Sequence, residues 1–543
     1  MLEIPLQSPQ SDPSAYRVLA DWLDAHAAQH PERDAILFGA MRITYAELRR
    51  KVDQCARAYL THGLQGGDCV AMLCPPRPEA FISFLAAAKI GVLWLGLNPR
   101  YQLPELSYVV GDAQPKLLLS IDSLEGRSYA PDIEILAQQN PGIRATVLIE
   151  RRGPDGSSFD DWAVSFADPA LDAQLASART AVQDTAPALL VYTSGSSGKP
   201  KGVLLRHREL IRRSRTQNER FATRSYPRVI NPLPVNHIGG MHFLGLFTFI
   251  GGGTLRFTER FSAAEFVAAL QAGSINALIL LPTMFKMMVD EPGFSKELLA
   301  KLDWFVFSGA AMAPELLELI RSTGCPLGLT YGMTETCGSV TYSDPDADVE
   351  TLANTIGRAT PAGEVRVADD DGQPCAPGVP GELQVRADYC MGGYLNRPQA
   401  TAEAFTEDGW LHTGDTAVLR EDGNIRFIGR RSEMYKSGGY NVYPREVELA
   451  METHEAVVLS AVVSVPDPLY DEVGWAYVVP APGRQISEKE AADWCKRQLA
   501  NYKVPKRFIV CAELPLLPVG KVDKVKLKSQ AQAQALQRSA ATA

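Results

Sequence analysis

A chain of 543 residues is too long for a single hydrophobic core, so two or more domains are expected. With 46% hydrophobic and 22% charged residues it has the composition of an ordinary globular protein. A formal net charge of −9 argues against a broad nucleic-acid-binding face, so any polyanion bound here must be held by a local pocket.

The opening residues, MLEIPLQSPQ, have neither the basic start nor the apolar core of a signal peptide. Residues 15 to 120 alternate helical patterns such as YAELRRKVDQCARAYLTHG with short apolar runs such as CVAMLC and KLLLS, the pattern of parallel α/β construction. Two long apolar stretches, FISFLAAAKIGVLWLGL and GGMHFLGLFTFIGGG, are interrupted by Lys89 and by His242 with its glycines. Neither reaches the roughly 18 clean apolar residues of a membrane span, so both are assigned to the core and no transmembrane segment is expected. Nine cysteines without a CxxC pair, and eight histidines without HExxH, give no disulfide framework and no zinc site. A reduced, cytoplasmic protein is expected.

The polar stretch DAQLASARTAVQDTAPA reads as a surface connection. It leads through the apolar ALLV into YTSGSSGKPKG, residues 192 to 202. Loops of this composition are either flexible linkers or phosphate cradles. The preceding strand places this one where α/β proteins bind ligands. The hydroxyls of Thr193, Ser194, Ser196 and Ser197 and the charges of Lys199 and Lys201 suit a polyphosphate. It is not a Walker loop: Gly195 and Gly198 are separated by two residues rather than four, and Lys199 is followed by Pro200.

Further strand candidates follow, ALILLP and WFVFSG, the latter leading into the helical APELLELIRSTG. From about residue 363, Asp-Gly and Pro-Gly turns separate short strands and suggest a smaller β-rich unit. The last hundred residues combine the strands VVLSAVVSV and WAYVVPA with an amphipathic helix, EKEAADWCKRQLANY. The low-complexity tail SQAQAQALQRSAATA is expected to fray. The best boundary lies at the charged turn near Arg430, dividing the chain into 1–430 and 431–543.

In this order, YTSGSSGKPKGV, PVNHIGG, SGAAM, TYGMTET, GELQVRADYCMGGYLNRPQAT, GWLHTGD, GRRSEMYKSGGYNVYPREVE and LPVGKV resemble the motifs of the adenylate-forming superfamily. That superfamily includes acyl- and aryl-CoA ligases, luciferases and peptide-synthetase adenylation domains. The resemblance runs over almost the whole chain. It implies a large N-terminal adenylation body of α/β subdomains plus a β-rich subdomain, followed by a small mobile α+β C-terminal domain. ATP, Mg²⁺ and coenzyme A are the implied small molecules.

The same resemblance assigns roles. Thr193, Ser194, Gly195, Ser196, Ser197, Gly198 and Lys201 would grip the departing pyrophosphate, with Thr193 and Glu335 at the metal. Gly309, Ala310, Ala311, Tyr331 and Gly332 would line the adenine, and Thr334 would face the α-phosphate. Asp415 would accept from the ribose hydroxyls, joined there by Arg430. Lys521 would bridge the carboxylate and α-phosphate from the small domain. Ser432, where the family more often has Asp or Lys, would be the hinge, with Arg431 sharing the role. Ser437, Gly438 and Gly439 would form the pantetheine passage.

Three departures bear on the substrate. Ala387 and Thr330 stand where glycine is common, and Asn236 stands where an aromatic residue is frequent. The acyl pocket is expected from His237, Gly239, Gly240, Met241, Gly309, Thr330 and Val340. It holds no carboxylate to pair an α-amino group, which favours a fatty, alicyclic or aryl acid. Coenzyme A is the leading acceptor, and a carrier-protein pantetheine thiol is the alternative. A non-catalytic nucleotide-binding regulator would require a lost catalytic residue, and none of the motif residues is missing.

Overall fold

The computed structural model describes residues 16–150, 158–166, 168–193, 199–360, 362–517 and 521–542. Five of the expected phosphate-loop residues, Ser194, Gly195, Ser196, Ser197 and Gly198, lie outside the described residues. The chain divides into two compact units, Met1–Glu364 with Val385–Leu411, and Val365–Gln384 with His412–Ala543.

Among the described residues, the first unit is built on three sheets of four or more strands. The largest has seven strands in the order Gly393–Tyr394, Lys201–Arg206, Pro187–Thr193, Leu93–Leu97, Cys69–Leu73, Leu117–Ile121, Ala145–Ile149. The last five run parallel, and the first two complete one edge in antiparallel fashion. In three of the inner strands, Cys69–Leu73, Leu93–Leu97 and Leu117–Ile121, every residue is buried. That explains why these runs are uniformly apolar rather than alternating: helices cover both faces of a parallel sheet. One such helix, Pro78–Lys89, is buried along its whole length. Its Lys89 ammonium is neutralised by Asp53 at 2.5 Å, so the charge that interrupts the apolar stretch is paired inside the fold.

A second sheet runs Ala277–Leu280, Trp304–Ser308, Leu327–Met333 in parallel, then Gly338–Tyr342 and Arg358–Ala359 antiparallel. The third has four strands, Arg228–Asn231, Thr254–Phe257, Asp34–Phe38 and Met41–Thr44. Helix starts follow local chemistry. At Tyr45–Thr61, the Thr44 hydroxyl accepts from the Glu47 amide while the Glu47 carboxylate accepts from the Thr44 amide.

The second unit contains the sheet Glu364–Ala368, Pro380–Arg386, Leu411–Leu419, Ile425–Arg430 and, beyond it, a five-stranded sheet with three helices, Pro444–Glu452, Glu488–Gln498 and Lys524–Thr542. Residue 431 falls inside this unit, directly after the strand Ile425–Arg430. The mixed α/β fold with a separate C-terminal α+β region matches the expectation from sequence.

One expectation changes. The low-complexity tail, expected to fray, is helical as far as Thr542, within the helix Lys524–Thr542. Leu527, Ala531 and Ala535, spaced four apart, lay an apolar stripe against the strands Val457–Asp467 and Asp471–Pro480. Alanine, glutamine and lysine are strong helix formers once such a stripe has a surface to cover. The polar stretch before the phosphate loop lies at the surface as expected and carries the helix Asp172–Ala181, anchored by Leu175, its one buried residue.

Candidate active site

The strands Pro187–Thr193 and Lys201–Arg206 form a hairpin in which Thr193 and Lys201 are partners. These two residues therefore stand side by side at the carboxyl end of the parallel strands, where α/β sheets place ligands. Facing them is the short 3₁₀ turn Thr334–Thr336 that follows the strand Leu327–Met333. It carries Glu335, which is only 8% exposed. Thr193 Oγ1 lies 3.4 Å from Glu335 Oε1, and the Tyr394 hydroxyl donates to the same oxygen at 3.1 Å. The Lys201 ammonium sits 5.0 Å from the centroid of the Tyr394 ring, a cation–π contact. Burial and the Glu335 carboxylate push the Tyr394 phenol well above its ordinary pKa, so it remains a donor at neutral pH.

Tyr394 lies within MGGYLNRP, where residue type alone assigns the tyrosine no role. The motif itself was the available signal, and the two-residue strand Gly393–Tyr394 at the sheet edge is what delivers its ring.

The turn holding Glu335 is shaped by its neighbours. The Thr336 hydroxyl accepts from the Met333 amide at 3.1 Å. A Cβ at Gly332 would meet the Gly338 carbonyl oxygen at 2.0 Å, so only glycine permits the two strands to approach this closely. Ser308 is paired with Thr330 in parallel register. That places Gly309, Ala310 and Ala311 alongside Tyr331 and Gly332, all at the strand ends. The first three and Gly332 are exposed, Tyr331 is half-buried, and Thr334 is buried.

The expected acyl-pocket residues divide by accessibility. Thr330, Val340 and Met241 are buried, and the Thr330 hydroxyl is spent on the Thr341 carbonyl at 2.9 Å. Gly239, Gly240 and Met241 begin a π-helical segment, Gly239–Leu246. A Cβ at Gly240 would meet the Pro234 carbonyl oxygen at 2.4 Å. His237 is half-buried, with Nδ1 accepting from the Gly239 amide at 3.0 Å. The Asn236 amide nitrogen lies 3.4 Å from the Tyr101 hydroxyl. His242, which interrupts the apolar run, is a core residue: burial lowers its pKa to about 3 and keeps the ring neutral.

In the second unit, Asp415 and Arg430 are cross-strand partners, with Arg430 Nε 3.4 Å from Asp415 Oδ1. Asp415 is buried and Arg430 is exposed. Lys521 joins them electrostatically. Protein packed around its ammonium lowers the pKa and Arg430 lowers it further, while Asp415 and Glu433 raise it. The residue as a whole stays open to solvent. Three residues assigned to the sugar and the reacting carboxylate thus come together within one unit.

Arg431 bonds Asp370 at 2.8 Å, and Ser432 is exposed. Ser437 is buried and pairs with Tyr440 across a two-residue hairpin turn. Gly438 and Gly439 occupy that turn with φ of 56° and 87°, the left-handed pair that a type I′ turn demands.

The family model described as "AMP-binding enzyme" matches residues 23–395, and the one described as "AMP-binding enzyme C-terminal domain" matches residues 446–521. The indoleacetate–CoA ligase of Aromatoleum aromaticum is 32% identical over 517 residues, covering 93% of this chain and 96% of its own. A feruloyl-CoA synthase of an Amycolatopsis species is 31% identical over 506 residues, covering 93% and 97%. The crystal structure of ATP-bound MatB from Rhodopseudomonas palustris is similar with a TM-score of 0.83 at 28% identity, covering 94% of this chain and 98% of that one. Among the described residues, no helix is long and apolar enough to cross a membrane. Matched over more than half its length, the chain belongs to the AMP-binding enzyme family of adenylate-forming enzymes and is an AMP-forming acid–thiol ligase.

Proposed function

We propose that the chain activates a fatty, alicyclic or aryl carboxylic acid with ATP and passes the acyl group to the thiol of coenzyme A. In the first step a carboxylate oxygen bonds to the α-phosphorus as the bond to pyrophosphate breaks. In the second, the thiol sulfur displaces AMP from the acyl carbon and loses its proton. Both partners in the first step are anions, so the site must neutralise charge and align the reacting atoms.

The observation that carries this reading is the meeting of Thr193, Glu335, Lys201 and Tyr394 at the strand ends. Lys201 and the Thr193 hydroxyl supply a cation and a donor to the polyphosphate. Among the described residues, no group of three or more His, Cys, Asp and Glu side chains is poised to hold a metal. One buried carboxylate beside a hydroxyl nevertheless fits Mg²⁺, which keeps waters and shares its shell with phosphates. Glu335 and Thr193 would hold it, and it would supply positive charge against the phosphates.

Gly309, Ala310, Ala311, Tyr331 and Gly332 form the adenine surface in this reading, and Thr334 faces the α-phosphate. Asp415 and Arg430 take the ribose. Lys521 donates to the carboxylate and α-phosphate as charge builds between them. A hinge at Ser432 and Arg431, between 1–430 and 431–543, then exchanges Lys521 for the passage at Ser437, Gly438 and Gly439.

The absence of a carboxylate in VNHIGGM, with the buried apolar Met241 and Val340, supports an acid without an α-amino group. A carrier-protein thiol is the alternative acceptor, because a pantetheine arm can use the same passage.

Pyrophosphate release across a panel of aryl, alicyclic and fatty acids, with and without coenzyme A, tests the proposal. Acid-dependent release followed by a CoA thioester is the expected result. Release that yields thioester only on a carrier protein would assign the alternative acceptor, and no release with any acid would refute the reaction.

A further inference from the structure

Resting on the nucleotide-site assignment above, we propose that Tyr108 and Asp112 are positioning residues for adenylation, clamping both ends of the phosphate hairpin so that Thr193 and Lys201 meet the polyphosphate together. The helix Leu103–Ala113 carries them four residues apart, hence on one face. The Tyr192 hydroxyl donates to Asp112 Oδ2 at 2.8 Å. The Tyr108 hydroxyl donates to the Pro200 carbonyl, also at 2.8 Å. Tyr192 immediately precedes Thr193, and Pro200 immediately precedes Lys201. One helix face therefore holds the residue next to each functional side chain, from the two sides of a single hairpin. The Lys199 ammonium lies 6.0 Å from the centroid of the Tyr108 ring, on the same side.

Asp112 also ties in the third segment of the site. Arg397 Nη2 donates to Asp112 Oδ1 at 2.8 Å, and the Asn396 side chain donates to the Asp112 carbonyl at 3.2 Å. These residues follow Tyr394, whose hydroxyl holds Glu335. A carboxylate near a polyphosphate site would repel the ligand unless neutralised. Arg397 supplies that neutralisation and leaves Asp112 to act through geometry. The carboxylate is 12% exposed, and its bond partner Tyr192 is driven well above the ordinary phenol pKa by burial and by Asp112, so the clamp keeps its proton through the neutral range. Neither residue reaches the reacting atoms. Their effect is to prevent displacements of the order of an ångström, which cost catalysis heavily.

The test compares Asp112→Ala, Asp112→Asn, Tyr192→Phe and the Asp112→Ala/Tyr192→Phe double variant with wild type. MgATP binding is read by calorimetry, the MgATP KM and kcat by pyrophosphate release, and the second half-reaction from supplied acyl-adenylate. Asp112→Ala and Tyr192→Phe should each weaken MgATP binding and raise its KM about tenfold, the effect of losing one hydrogen bond to a charged group. The double variant should lose no more than the worse single one, and Asp112→Asn, which retains an acceptor for Tyr192, should recover most of the loss. The acid's KM and thioester formation from supplied acyl-adenylate should be unchanged. Wild-type MgATP affinity in Asp112→Ala, additive losses in the double variant, or equal losses in both half-reactions would overturn the clamp. The assigned reaction is judged separately: wild-type MgATP binding without acid-dependent pyrophosphate release would refute the reaction and leave the clamp to the binding data.

Discussion

Replacing Lys521 with methionine should move activity and stability in opposite directions. Crowding by protein atoms lowers the Lys521 pKa and Arg430 lowers it further, against Asp415 and Glu433. A lysine whose folded pKa is lowered binds its proton less tightly in the native state than in the unfolded chain. At neutral pH the native state therefore carries an unfavourable charge, relieved only as pH rises through the folded pKa towards the unfolded one. Methionine keeps the unbranched chain, one atom shorter, and removes the charge, so the melting temperature at pH 7 should be unchanged or higher.

Catalysis should suffer instead. An electrostatic stabiliser of this kind contributes about 3 kcal/mol to the transition state, or roughly a hundredfold in rate. Acid-dependent pyrophosphate release should fall by at least that factor, while thioester formation from supplied acyl-adenylate keeps most of its rate. Equal losses in the two half-reactions, or a lower melting temperature, would refute the argument.

Other expectations follow from the same geometry. Activity should decline on the alkaline side as Lys521 loses its proton, and Asp415→Asn should move that limb to lower pH, because Asp415 raises the Lys521 pKa; a pH–rate profile decides. Tyr394→Phe removes the 3.1 Å bond to Glu335 while leaving a ring beneath Lys201, so the Mg²⁺ requirement should rise about tenfold, measured by metal titration of the initial rate. Gly332→Ala drives a Cβ into the Gly338 carbonyl and should cost about 2 kcal/mol or more in denaturant unfolding. Burial lowers the pKa of His26 and His207 to about 4 and that of His242 to about 3. Their contribution to stability is complete above the unfolded value near 6.5 and should be lost progressively as pH falls through the folded values; denaturant midpoints between pH 7 and 5 measure it.

Much of this architecture can be read from local sequence. Uniformly apolar runs such as CVAML identify the covered parallel strands, and Thr44 with Glu47 marks a helix start. Gly438-Gly439 identifies a tight turn. The helical tail was misread because QAQAQA has no apolar periodicity of its own; the helix depends on Leu527 and Ala531 finding a sheet surface. The same limit applies at the site. Glu335 and Lys521 sit in recognisable motifs, whereas Asp112 lies in none of them.

The sequence by itself determined the family, the order of the motifs and the chemistry available in each, because these depend on residue types at short spacing. Only the tertiary structure decided which of those groups meet. Tyr394 reaches Glu335 across 59 positions, and Arg397 reaches Asp112 across 285. Such pairings follow from strand order and register in a sheet assembled from distant segments. No local periodicity encodes them, so the clamp on the phosphate hairpin becomes visible only when the seven-stranded sheet is complete.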